Sequence, residues 1–150
     1  MKKFALLAVC GVVLFGSAGC LHKTMYLVTP YGEGTGRVAD LASAIRAEGR
    51  AQRFSTSLEV FNMDLFSHPM ESWRDGRARM AVMRAKAFKP DIIFVDGDEG
   101  AREFAQRLAG MDYNFIFTGL LGDPADYGFD KSLRVTGVRE SLRVKETFAL

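Results

Sequence analysis

The chain has 150 residues, of which 48% are hydrophobic and 25% are charged, a size and composition that suit one globular domain. Its 20 basic and 18 acidic residues give a net charge of only +2. This balance lacks the basic excess that nucleic-acid-binding proteins use, so the composition predicts no nucleic-acid partner.

The N-terminus has the three parts of a secretory signal peptide. Lys2 and Lys3 precede an apolar run over residues 4–15, and a group of small residues follows that run. The run has 12 residues, whereas a helix that crosses a membrane needs about 20. The pattern therefore predicts a signal over residues 1–19 that is removed from the mature chain.

Residues 17–20, Ser-Ala-Gly-Cys, resemble the lipobox of bacterial lipoproteins. The resemblance implies that the thiol of Cys20 receives a diacylglyceryl group, which anchors the exported protein to a membrane of the cell envelope. An ordinary signal peptide with a cysteine near its cleavage site is the alternative. Because Cys10 lies in the signal, the mature chain would keep only one cysteine, which excludes an intramolecular disulfide.

The mature chain would start at Cys20. Removing 19 of the 150 residues takes away Lys2 and Lys3, which leaves 131 residues with 18 basic and 18 acidic side chains. We predict an anchor linker over residues 20–24 and a single domain over residues 25–150.

Apolar residues at helical spacing predict four helices. One face of the first carries Val38, Leu41, Ala42 and Ile45. The second spans about residues 71–88, with a predicted inner stripe of Trp73, Gly76, Met80, Met83 and Ala87 and a solvated outer face of Arg74, Arg77, Arg79, Arg84 and Lys86. The third contains Ala101, Phe104, Ala105 and Leu108, and the fourth begins over residues 144–150.

Five short apolar runs predict strands, over residues 26–28, 58–63, 92–95, 115–117 and 135–138. The run Ile-Ile-Phe-Val at residues 92–95 is apolar throughout, as in a strand that is buried on both faces. Strands that alternate with helices predict an α/β fold, a Rossmann-like parallel sheet with helices on both faces and right-handed crossovers.

Ligands of such sheets bind where the strands end, near the point at which the strand order reverses. Three predicted loops would meet at that edge, over residues 29–36, 96–100 and 118–124. In the first loop, Thr29 and Tyr31 are candidate contacts for a small ligand. The glycines of this loop fit neither G-x-G-x-x-G nor the Walker A spacing, so a turn capped by Thr35 is the favoured alternative to a phosphate site.

Asp96, Asp98 and Glu99 form an acidic cluster at the end of the third predicted strand. These side chains could bind a ligand amine, or Asp98 and Glu99 could cap the helix that follows and interact with its dipole. No histidine or further carboxylate lies at ligand spacing, so no metal site is predicted. Since no nucleophile with a base and no cofactor motif is evident, we predict no catalytic residue and no cofactor.

Residues 115–128 read Phe-Ile-Phe-Thr-Gly-Leu-Leu-Gly-Asp-Pro-Ala-Asp-Tyr-Gly and residues 134–140 read Arg-Val-Thr-Gly-Val-Arg-Glu. Residues 89–99 form a strand-like segment that keeps an acid at Asp98. These segments resemble one family of ABC-transporter substrate-binding proteins, which has the type I periplasmic-binding-protein fold and includes proteins of tryptophan and tyrosine uptake loci. Leu121 stands where that family has an asparagine.

The resemblance implies the N-terminal lobe of a protein that captures a small organic solute, such as an amino acid, and passes it to an ABC permease. Members of that family have two lobes, so the chain is expected to be a fragment, a truncated gene product, or a lobe that borrows its other half. With the strand-end positions, the resemblance predicts solute contacts at Thr29, Tyr31, Asp98, Gly119 and Leu120. Two other functions stay open, the sensing lobe of an extracytoplasmic receptor and a lipid-anchored enzyme on a flavodoxin-like sheet.

Overall fold

The computed structural model describes residues 21–140. The predicted signal over residues 1–19, the lipidation site Cys20 and the predicted helix over residues 144–150 lie outside the described residues. None of the helices between residues 21 and 140 combines the length and the apolar character that crossing a membrane requires.

The described chain forms one five-stranded sheet in the order β2-β1-β3-β4-β5, in which every neighbouring pair is parallel. The strands are β1 (His22–Thr29), β2 (Ser55–Asn62), β3 (Ile92–Asp96), β4 (Asn114–Leu120) and β5 (Arg134–Arg139). The helices are α1 (Gly36–Ala51), α2 (Glu71–Phe88) and α3 (Gly97–Glu103), and short 3-10 turns follow α3 and β4. The predicted α/β fold with a Rossmann-like parallel sheet is confirmed.

The two faces of the sheet carry two hydrophobic clusters. The larger one packs α2 and α3 against side chains such as Tyr26, Ile93 and Phe115. The smaller one packs α1 against Met25 and Leu27. The stripe predicted for the first helix is buried at Val38, Ala42 and Ile45, of which the last two belong to this smaller cluster. Helices therefore lie on both faces, as alternating strands and helices require in a parallel sheet.

The inner face of α2 differs from the predicted one. Its fully buried residues are Ala78, Ala81 and Ala85. Met80 and Met83 are 45% and 70% exposed, and Ala87 is exposed too. The predicted stripe was therefore wrong at these three positions. The prediction placed the larger methionine side chains inside, whereas the helix packs against the sheet through small alanine side chains.

Small residues on α2 bring its backbone close to the sheet. The hydroxyl of Tyr26 on β1 donates to the carbonyl oxygen of Ala81 at 3.1 Å, a contact that a larger side chain on this face would prevent. The Tyr26 ring also lies 6.3 Å from Phe88 and 6.2 Å from Phe104, measured between ring centres. Burial is the main reason that the pKa of Tyr26 is raised.

Two cations of the predicted outer face are not solvated. Arg74 is half-buried and donates to Glu103 at 3.0 Å, and it also pairs with Glu99. Arg77 is half-buried, with its guanidinium 4.6 Å from the centre of the Phe61 ring. These arginines attach α2 to α3 and to β2, so the prediction of a fully solvated face was wrong for them.

Several element boundaries differ from the predictions. β1 begins at His22, which pairs with Ser55, so residues 22–24 belong to the sheet and not to a linker. β4 continues to Leu120, beyond its apolar run. The third helix ends at Glu103 and continues only as a 3-10 turn. In the first two cases, backbone pairing with a neighbouring strand extends the strand past the apolar pattern.

Replacing Ala85 with leucine is expected to lower the free energy of unfolding by about 1–3 kcal/mol, because the added methylene groups have no space between α2 and the sheet. The same substitution at exposed Ala87 should change it by less than about 0.5 kcal/mol. Urea unfolding followed by circular dichroism measures both values. Similar losses for both variants would contradict this orientation of α2.

Candidate functional site

The strand order places a crevice between the carboxyl ends of β1 and β3. The chain leaves β1 for α1 on one face of the sheet and leaves β3 for α3 on the other face, and ligands of open parallel sheets bind at such a reversal. A cavity of about 220 Å³ opens there. It is lined by Pro30, Tyr31, Arg37, Phe66, Gly97, Asp98, Glu99, Gly119, Leu121 and Glu140.

A buried carboxylate lies behind this cavity. Asp96, the last residue of β3, has no exposed surface. It accepts a hydrogen bond from the hydroxyl of Thr29 at 3.0 Å and another from the guanidinium of Arg37 at 3.1 Å. Because a buried charge is tolerated only when it is paired and hydrogen-bonded, Asp96 holds the Arg37 side chain at the reversal point. The hydrogen bond from Arg37 to Asp96 is the main reason that the pKa of Arg37 is raised.

Arg37 forms the floor of the cavity and remains accessible. Its side chain is 45% exposed, and a nitrogen of its guanidinium lies 3.7 Å from Glu140. The guanidinium carbon is 5.5 Å from the centre of the Tyr31 ring, within the range of cation–π attraction. Gly119 provides the space, because a Cβ at that position would lie 2.8 Å from Arg37 Nη2 and its φ is +71°.

Two aromatic rings form one side of the opening. Phe66 is 60% exposed, and its ring centre lies 5.2 Å from that of Tyr31. The loop that carries Phe66 is attached to the end of β1 through its backbone, since Leu65 N donates to Pro30 O at 2.8 Å and Asp64 N donates to Tyr31 O at 3.4 Å. The pair therefore offers a fixed apolar surface to a planar or apolar group.

Asp98 connects the start of α3 to the segment after β4. Its carboxylate accepts from the amides of Leu121 at 3.2 Å and Gly122 at 3.1 Å, and from the hydroxyl of Tyr127. Burial raises the pKa of Asp98, but these hydrogen bonds outweigh burial and hold it below its usual range. Burial and the contact with Asp98 raise the pKa of Tyr127 to about 12. Asp98 is therefore occupied in joining two strand ends.

The structure brings three of the five predicted contact residues to the cavity, namely Tyr31, Asp98 and Gly119. Thr29 is fully buried behind Asp96, which it supports. Leu120 is also fully buried, because the extended β4 turns its side chain into the core. The neighbouring Leu121, which is 46% exposed, lines the cavity instead.

The capping roles predicted for Asp98 and Glu99 differ from those observed, whereas the turn capped by Thr35 is confirmed. Asp98 bonds to the β4 segment, and Glu99 pairs with Arg102 at 2.8 Å and with Arg74, so neither side chain caps α3. Thr35 precedes α1 without a side-chain capping bond. Its hydroxyl donates to Gly32 O at 2.7 Å, which closes a turn across the glycine loop.

Sequence reasoning did not identify Arg37, Phe66 or Glu140 as site residues. Arg37 follows the glycine loop directly, and Glu140 follows β5, so both occupy strand-end positions that could have been considered. Phe66 lies in a loop whose course depends on its bonds to the first strand end. Among residues 21–140 no group of three or more histidine, cysteine or acidic side chains could hold a metal ion.

No protein-family model matches the chain, and a search of curated proteins found no significant match. The resemblance to ABC-transporter substrate-binding proteins therefore stays a prediction.

Asp98→Asn is expected to lower the free energy of unfolding at pH 7 by about 1–3 kcal/mol, because two amides lose a charged acceptor. A pKa below that of the unfolded chain, about 3.9, means that ionised Asp98 stabilises the fold above that pH. This contribution disappears as the pH falls through the folded pKa, so the deficit of the variant should shrink below about pH 4.

Thermal unfolding between pH 2.5 and pH 7 measures this difference. Asp126→Asn, at an exposed carboxylate after β4, is the matched control and should show little loss at any pH. A deficit of Asp98→Asn that stays constant down to the lowest pH would contradict the assignment.

Proposed function

We propose that the protein is a lipid-anchored solute-binding component of an ABC importer, which captures a small organic solute such as an amino acid. The observation that carries the proposal is the cavity at the reversal of strand order, with Arg37 held there by buried Asp96. An arginine fixed by a second residue keeps its remaining N–H groups directed at a ligand, and this lowers the entropy cost of binding.

The polar groups of the cavity suit a solute that carries both an acid and an amine. Arg37 presents a planar fork of donors, which matches a carboxylate. Glu140 is 51% exposed and contacts Arg37 only at 3.7 Å, so its carboxylate can accept from an ammonium group. Tyr31 and Phe66 offer the apolar surface for the rest of the molecule.

The size of the cavity supports capture between two surfaces. Pockets that enclose small molecules usually measure about 300–1,000 Å³, and this cavity is smaller, at about 220 Å³. We infer that it forms one wall of a complete site. In the proposal a second lobe supplies the other wall, and the closed form passes its solute to an ABC permease.

The proposal places the protein in the cell envelope, attached through acylated Cys20. A single acyl chain binds a membrane only weakly, and stable anchoring takes a second signal; the diacylglyceryl group on the thiol supplies two chains. This tether would keep the captured solute close to the permease.

Titration of the full chain with tryptophan and with tyrosine, followed by NMR up to millimolar ligand, tests the proposal, because one wall of the site is expected to bind the solute weakly. Tyr31→Ala or Phe66→Ala should weaken binding by about tenfold, because each removes one ring of the aromatic pair. Met83→Ala truncates an exposed side chain on α2 and should bind like the unaltered protein. Absence of binding by the unaltered chain, or equal weakening by all three variants, would contradict the proposed site.

A further inference from the structure

The edge at which the strands begin differs in charge from the edge at which they end. We call them the entry edge and the exit edge. The entry edge comprises residues 21–24, 52–55, 89–92, 110–114 and 130–134, and the exit edge comprises residues 29–37, 62–68, 96–100, 119–124 and 139–140. The entry edge has five basic and three acidic side chains, whereas the exit edge has two basic and seven acidic ones.

Two cations of the entry edge, Lys89 and Lys131, are available to a partner. Lys23 pairs with Asp91 at 3.6 Å, and Arg134 pairs with Asp112. Among residues 21–140, Lys89 and Lys131 have no ion-pair partner. The entry edge thus presents uncompensated positive charge.

Exposed apolar side chains lie on the same edge. Leu133 is 95% exposed and sits between Lys131 and Arg134, while Leu21 and Met111 are 59% and 39% exposed. One hollow of about 470 Å³ on this edge is lined by Met111, Lys131, Leu133 and Arg134. Isolated exposed leucines are ordinary, but membrane-surface segments combine exposed apolar side chains with basic ones, and this edge carries both.

The predicted anchor is attached to this edge. Leu21 alone separates Cys20 from His22, the first residue of β1. Consecutive Cα atoms are about 3.8 Å apart, so acylation of Cys20 would hold the start of β1 within about 8 Å of the lipidated residue. With Cys20 acylated, the entry edge would lie near the bilayer, while β1, eight residues long, would place the exit edge up to about 23 Å farther away.

We propose that the entry edge is a contact surface for a bilayer that contains anionic phospholipid, with Leu133 in the headgroup region and the solute site facing away from the membrane. The inference rests on the proposed anchor at Cys20. Lys89 and Lys131, which have no ion-pair partner among residues 21–140, attract anionic headgroups, and the acidic exit edge is repelled by them. The anchor at Cys20 and the charge difference between the two edges therefore favour the same orientation, with the entry edge facing the membrane.

Fluorescence quenching on the lipidated full chain, reconstituted in vesicles of phosphatidylcholine and phosphatidylglycerol, tests the orientation. Leu133→Cys places a bimane probe on the entry edge. Val138→Cys is the matched control, because Val138 is 65% exposed and lies near the end of β5, the strand that begins directly after Leu133. Acylation occupies Cys20, so only the new thiol reacts with the probe.

Lipids that carry a spin label near the headgroup should quench the probe at position 133 about threefold more strongly than the probe at position 138. Lys131→Glu should reduce this ratio, whereas Arg139→Glu on the exit edge should not. Equal quenching at both positions, or none at either, in protein whose mass shows the lipid would overturn the orientation alone. A mass without lipid would overturn the anchor and the orientation together.

Discussion

Asp96 carries its carboxylate at a position with no exposure to solvent, and the burial of a charge there costs several kcal/mol unless partners compensate it. The partners come from two other elements: Thr29 ends β1, and Arg37 is the second residue of α1. One buried charge thus joins both sides of the strand-order reversal and fixes the only guanidinium that lines the cavity among residues 21–140. The candidate site depends on this contact.

The residues around the Arg37 guanidinium leave space for it or contact it. Gly119 leaves space for it, Tyr31 lies beside it, and Asp98 fastens the β4 end to the start of α3 through backbone amides. Acidic groups collect at this edge while basic groups collect at the opposite one. The two ends of the sheet are therefore chemically different, and each has its own proposed role, solute capture at one end and membrane contact at the other.

Sequence patterns predicted those features that depend on neighbours along the chain. The α1 stripe and the apolar run of β3 are local, and both are confirmed. The buried face of α2 depends on residues that are distant in the chain. The hydroxyl of Tyr26 on β1 reaches the carbonyl oxygen of Ala81, and this close approach requires small side chains on that face. Leu120 was misplaced since pairing with β5 extends β4 past its apolar run. The role of Arg37 depends on a partner 59 residues away, which no spacing rule reveals.

The most direct test of the central claim is an NMR titration of the nitrogen-15-labelled chain with tryptophan. Gly97 and Gly119 line the candidate cavity at the exit edge, and Gly110 lines a hollow at the entry edge, so the three glycine amides report on the two ends of the sheet. The account predicts shifts of the Gly97 and Gly119 resonances that saturate together while the Gly110 resonance stays in place. Shifts centred on Gly110, or no shift at any concentration, would contradict it.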